Sequence, residues 1–218
     1  MGTASGIQQG PPRTDDKSEW WATPTVIGLM GFGLTTMMAG LGNLPAPYGN
    51  GFGSGANVGV SLFGLAIIFG GLVQILAGVI GLRKGNLFAG SAFLGYGAFW
   101  IAYTFTLTTY LGSGLISPPI TVGFYGLAAF AFLWMMFTLT FLINSVKHGW
   151  GLFFVFLFLF VSFVLLIVKF WQLGAADTIS KGEDWAVGGM IILTGLTAWY
   201  VATAHLTNAN WGRTALPV

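Results

Sequence analysis

Long apolar runs, nearly free of charge and dense in glycine, are what most constrain this chain. WATPTVIGLMGFGLTT (Trp21 to Thr36) and GGLVQILAGVIGLRKGNLFAGSAFLGYGAFW (Gly70 to Trp100) set the pattern. Charged residues make up 6% of the 218, hydrophobic ones 55%, with mean hydropathy +0.80. Such a composition does not suit a water-soluble domain. A bilayer core of about 30 Å takes roughly 20 apolar residues as helix, because no water is there to satisfy the backbone. Six runs of that kind are predicted, over 25–42, 56–81, 88–111, 119–143, 150–172 and 185–206. The expected fold is therefore an all-α membrane protein, a six-helix bundle over residues 20–218. Runs such as FFVFLFLFVSFVLLIV (Phe153 to Val168) are continuous and do not alternate with polar residues, which excludes a transmembrane barrel. Residues 1–19 carry Pro11, Pro12 and mixed charges and lack an apolar run, so they read as a disordered tail without a signal peptide.

Charge placement predicts orientation. Arg13 and Lys17 precede the first run, Arg83 and Lys84 follow the second, Lys147 the fourth and Arg213 the sixth, so all fall on one side. The opposite side holds Lys169 and Lys181 with Asp177, Glu183 and Asp184. By the positive-inside rule both termini are expected to be cytoplasmic. The net charge of +2 is then a topology signal, and no nucleic-acid partner is implied. Arg83 and Lys84, with the turn residues Gly85 and Asn86, are expected to meet lipid headgroups.

Chemistry is excluded more readily than assigned. With no cysteine there is no disulfide and no thiol or Cys-based metal site. No nucleophile–base pair, metal cluster or phosphate loop is present, so neither an enzyme nor a cofactor is expected. The acidic residues fall in the tail and in the loop before the last run, which leaves no carboxylate relay inside a span. His205 reads as an interfacial histidine at a helix end, and His148 lies in a turn. Lys169, one turn from Trp171 and Gln172, reads as a lysine snorkelling to the interface, the alternative being attraction of anions to an outer vestibule. Most glycines read as packing residues: Gly28, Gly31 and Gly33; Gly64, Gly71 and Gly78; Gly95 and Gly97. Gln74 needs partners for its carboxamide, either a neighbouring helix or a solute. Tyr96, between two glycines, reads as having open space beside its ring, suited to a gate or a ligand contact.

Five separated strings resemble one family in order: LMGFGLTT (Leu29 to Thr36), GGLVQILAG (Gly70 to Gly78), KGNLFAGSAFLGYGAFW (Lys84 to Trp100), WMMFTL (Trp134 to Leu139) and GRTALP (Gly212 to Pro217). They are similar to the acetate uptake transporter family along almost all of the chain after the tail. The family's signature Asn-Pro-Ala-Pro-Leu-Gly-Leu, which should run directly into MGFG, is altered here to TPTVIGL (Thr23 to Leu29), with Thr23 in place of the asparagine. NLPAPYG at Asn43 to Gly49 mimics that signature and reads as a turn-rich outer loop.

The resemblance implies a homo-hexamer in the plasma membrane, each protomer with its own narrow path for acetate and similar small monocarboxylates, with succinate a further candidate. It implies a constriction made by Phe32, Tyr96 and Leu159. Thr23, Gly28, Thr35, Gln74, Tyr96 and Trp100 are the expected substrate contacts, with Tyr96 donating a hydrogen bond at the constriction. An apolar constriction resists an isolated carboxylate, so the acid should cross more easily than the anion. Residue chemistry alone leaves two other classes open: a channel for urea, water or ammonia, and a membrane scaffold or sensor.

Overall fold

A computed structural model describes residues 23–45, 58–110, 123–176 and 179–218, and among these there is no strand. The tail 1–19, the turn-rich stretch beyond Pro45 and Asp177 lie outside the described residues. The described residues form six helical rods in order: α1 (Thr25–Asn43), α2, α3 (Leu87–Tyr110), α4 (Phe124–Ser145), α5 (Trp150–Ala176) and α6 (Lys181–Trp211). Rod α2 is made of three consecutive stretches, Val58–Leu65, Ala66–Val73 and Gln74–Arg83, the middle one a π-helix. The rods sit on the predicted runs. Five of them are long and apolar enough to cross a membrane. The other, α3, turns Tyr96, Trp100, Tyr103 and Thr104 inward.

The ends of α5 and α6 differ from expectation. Ser180 and Glu183 form a capping box: Ser180 Oγ accepts from the Glu183 N–H at 3.2 Å, and the Glu183 carboxylate accepts from the Ser180 N–H at 2.8 Å. The helix thus starts at Lys181, so Glu183 and Asp184, expected in a loop, stand in its first turn. At the other end it stops only at Gly212, whose φ of 62° is left-handed. His205 therefore lies inside the helix and not at its end. The turn expected at Gly85 and Asn86 is present: Gly85 has φ 74°, and Asn86 Oδ1 accepts from the Ala89 N–H at 2.9 Å, capping α3.

Two kinds of seam hold the rods together. Where α1 crosses α6, a Cβ added to Gly33 would stand 2.9 Å from the Gly195 carbonyl oxygen, and one on Gly40 would stand 2.9 Å from that of Gly188. Both intervals are seven residues and run in opposite directions, so this is an antiparallel glycine seam with the backbones in contact. Rods α2 and α3 meet the same way through Gly71 with Gly97 and Gly81 with Gly90. Gly64 has open space beside it, so its expected packing role is not realised. The second kind of seam joins α3 to α4 and α5 through aromatic rings. Phe99 stacks on Phe130 (5.9 Å between centroids) and meets Trp134 (5.0 Å) and Phe163 (5.7 Å). Large rings keep backbones apart, and the space between rods lies there. Leu133, Ile143, Leu76 and Ile68 project outward as a broad apolar exterior, as lipid contact requires.

Candidate functional site

A cavity of ≈ 40 Å³ lies between α1, α3, α4, α5 and α6. Helical spacing makes its walls: Phe32, Thr36, Ala39 and Asn43 from one face of α1, Tyr96, Phe99, Trp100 and Tyr103 from α3, and Leu159, Ser162, Phe163, Leu166 and Phe170 from α5. Its two aliphatic hydroxyls turn back to their own helices. Thr36 Oγ1 donates to the Phe32 carbonyl at 2.7 Å, and Ser162 Oγ donates to that of Phe158 at 2.8 Å. The wall is consequently apolar, and no residue lining it is charged.

At the opposite end of α3 opens a wider vestibule, ≈ 730 Å³, bordered by Asn86, Ser91, Thr140, Asn144, His148, Phe88 and Phe141. His148 stacks on Phe88 at 4.0 Å. Vestibule and cavity are separated by an aromatic layer: Tyr96 lies 5.3 Å from Phe32, 6.2 Å from Phe141 and 6.2 Å from Phe156. The basic residues Arg83, Lys84, Lys147 and Arg213 gather at the vestibule end. At the cavity end Lys169 Nζ donates to Asp184 Oδ1 at 2.8 Å and to Asn43 Oδ1 at 3.1 Å.

Three of the expected residues, Phe32, Tyr96 and Leu159, border the same cavity, as does Trp100. Tyr96 is not surrounded by space as expected. The Phe137 ring fills the position beside Gly95, Ile75 and Gly71 fill that beside Gly97, and the Tyr96 hydroxyl donates to Thr138 Oγ1 at 2.9 Å. Its hydrogen bond is thus already committed across to α4, because a hydroxyl buried among rings needs a partner. Thr35 and Gln74 are buried behind the cavity wall. Thr35 Oγ1, both carboxamide atoms of Gln74 and Trp100 Nε1 have no hydrogen-bond partner. Gly70 joins two of these: a Cβ there would stand 2.7 Å from Thr35 Oγ1 and 2.9 Å from Trp100 Cδ1, the atom bonded to the indole nitrogen. Gln74 follows one turn later, where the π-stretch ends; such stretches recur at functional sites.

Two expected residues are not brought to this place. Thr23 is exposed before α1, its hydroxyl 3.0 Å from that of Thr25. Gly28 is buried against the Phe93 ring, 2.6 Å from where its Cβ would be. Sequence reasoning also missed features. Lys169 was expected to reach the interface, but it is 11% exposed and held across three helices. Asn43, expected in a loop, ends α1 and borders the cavity. Asn208 binds the last residues: its Oδ1 accepts from the N–H groups of Ala215 and Leu216, and its Nδ2 donates to the Leu216 carbonyl.

Apolar helices enclosing an uncharged aromatic-lined cavity, with a vestibule on one side, define a membrane-spanning bundle with a path for a small solute. Residues 7–217 match the GPR1/FUN34/yaaH family, and the chain belongs to it. Among curated relatives, the succinate-acetate/proton symporter SatP of Escherichia coli (strain K12) is 34% identical over 200 residues, covering 90% of this chain and 95% of that one. The ammonia transport outward protein 3 of Saccharomyces cerevisiae is 31% identical over 186 residues, 83% of this chain and 61% of the yeast protein. Among solved structures, the bacterial acetate channel SatP superposes with a TM-score of 0.75 at 32% identity, covering 91% of this chain and 99% of that one.

Proposed function

We propose that this protein conducts acetate and similar small monocarboxylates across the plasma membrane, through one path per protomer. Phe32, Tyr96 and Leu159 form the constriction. Their convergence on one narrow uncharged cavity, in a fold shared with an acetate channel, is the observation that carries the reading. Trp100, whose indole N–H has no partner, borders that cavity, and Thr35 and Gln74 hold further unpartnered polar atoms behind its wall; a carboxyl group or the water travelling with it supplies the hydrogen bond missing at Trp100. Desolvating a bare carboxylate is costly, so the solute crosses the rings as the neutral acid or still attached to such groups.

All six rods cross the bilayer in this reading. The basic residues at the vestibule end support, by the positive-inside rule, a cytoplasmic side for that end and for both termini, with Arg83 and Lys84 meeting lipid headgroups there. The protomers assemble as a homo-hexamer, which native mass spectrometry in detergent would read as a sixfold mass. Thr23 and Gly28 act as approach and packing residues of α1, outside the constriction.

Labelled acetate uptake into proteoliposomes, with and without an imposed pH gradient, tests the function. Saturable uptake above that of empty liposomes is expected, enhanced by an inward proton gradient; uptake equal to empty liposomes sinks the proposal. The yeast relative's name and the uncharged wall favour ammonia as the second reading. Rapid ammonia flux without acetate flux in the same vesicles would select it.

A further inference from the structure

The cavity wall carries no charge, yet the mouth at the Asn43 end is built around one. Lys169 on α5 is 11% exposed and spans the mouth, bonded to Asn43 at the end of α1 and to Asp184 in the first turn of α6. Asn43 itself borders the cavity, so the ammonium stands one side chain away from the solute's route. On its other side lies a second cavity of ≈ 40 Å³, walled by Leu165, Val168, Glu183, Ala186 and Val187. The carboxylates on hand are not equivalent. Glu183 is committed to the helix end through its bond from the Ser180 N–H, whereas the Asp184 carboxylate accepts from the Lys169 ammonium. An ammonium has three donors, of which Asn43 and Asp184 take two.

We propose that Lys169 is a capture site for the solute's carboxylate at this mouth, and that Asp184 is its resident competitor. An arriving carboxylate displaces Asp184 from the ammonium, is held there with the help of the Asn43 carboxamide, and passes along the cavity as Asp184 returns. The exchange is one carboxylate for another, so the pair resets without an additional counter-ion. The partly buried position strengthens the contact relative to a surface ion pair, while the built-in competitor prevents the solute from being held too tightly to leave. This inference rests on the carboxylate reading of the path.

A purely structural staple and a capture site predict different outcomes. Half-saturating concentrations for labelled acetate are measured in proteoliposomes at fixed pH and ionic strength for the wild type, Asp184→Asn and Lys169→Gln. Removing the competitor should lower the half-saturating concentration, and removing the cation should raise it, each by roughly ten- to a hundredfold, as expected for a charge-assisted hydrogen bond. If the pair only staples helices, the two variants lose the same contact and shift together; a shared direction, or no shift, overturns the proposal. Should Lys169→Gln fail to assemble, Asp184→Asn decides alone, because it leaves Lys169 bonded to Asn43: a lower value supports capture, and an equal or higher one rejects it. A wild type that moves no acetate overturns the transport reading itself, whereas wild-type flux with parallel shifts overturns only the capture site.

Discussion

Tyr96 carries two jobs on one side chain. Its ring separates vestibule from cavity, and its hydroxyl ties α3 to α4 through Thr138, which in turn donates to the Trp134 carbonyl at 2.8 Å. Thr138→Val keeps the volume but removes the acceptor, leaving a buried hydroxyl unpaired. It should cost about 1–3 kcal/mol, seen as a lower unfolding temperature in detergent. Tyr96→Ala should open the constriction, raising acetate flux and admitting longer monocarboxylates, checked by uptake of butyrate against acetate in liposomes. The positions of Phe32, Tyr96 and Leu159 on the cavity wall were all legible by resemblance. The first two stand in distinctive glycine-bounded strings, whereas the run of Phe and Leu around Leu159 gives no register of its own. The Thr138 tether was not legible, because sequence does not say which of many in-span hydroxyls faces a tyrosine 42 residues away. Thr23 misled for a related reason: a motif position aligns on sequence, but the exposed start of α1 lies outside the cavity.

Among the helices, the difference between glycine seams and aromatic seams decides what a substitution does. Gly195→Val should disrupt the α1–α6 crossing, since even a Cβ would stand 2.6 Å from the Gly33 carbonyl oxygen. Gly64→Ala, with nothing beside it, should be neutral or slightly stabilising, by up to about 1 kcal/mol from helix propensity. Comparing their melting temperatures in the same detergent separates packing glycines from incidental ones. Asn208→Ala should release the last residues from α6, detectable as faster proteolytic trimming of the C-terminus with the bundle intact. Helix positions were readable because apolar run length is a strong signal. The ends were less so: the Ser180 and Glu183 capping box and the Gly212 stop extend α6 past its apolar stretch, and polar residues at membrane level conceal such extensions. The π-stretch at Ala66–Val73 left only the adjacent Gly70 and Gly71 as a trace.

The molecule as a whole is a bundle closed upon itself, because the first rod packs chiefly on the last. Synthesis runs in one direction, so the glycine face of α1 is made early while its partner is made late. At roughly 5–20 residues per second, the stretch from Asn43 to Lys181 takes on the order of ten seconds to emerge. Throughout that interval α1 sits in lipid or against the insertion machinery with its tightest contact surface vacant. The bundle is thus sealed as a last event, and a stalled or truncated chain lacking α6 leaves the glycine face of α1 bare.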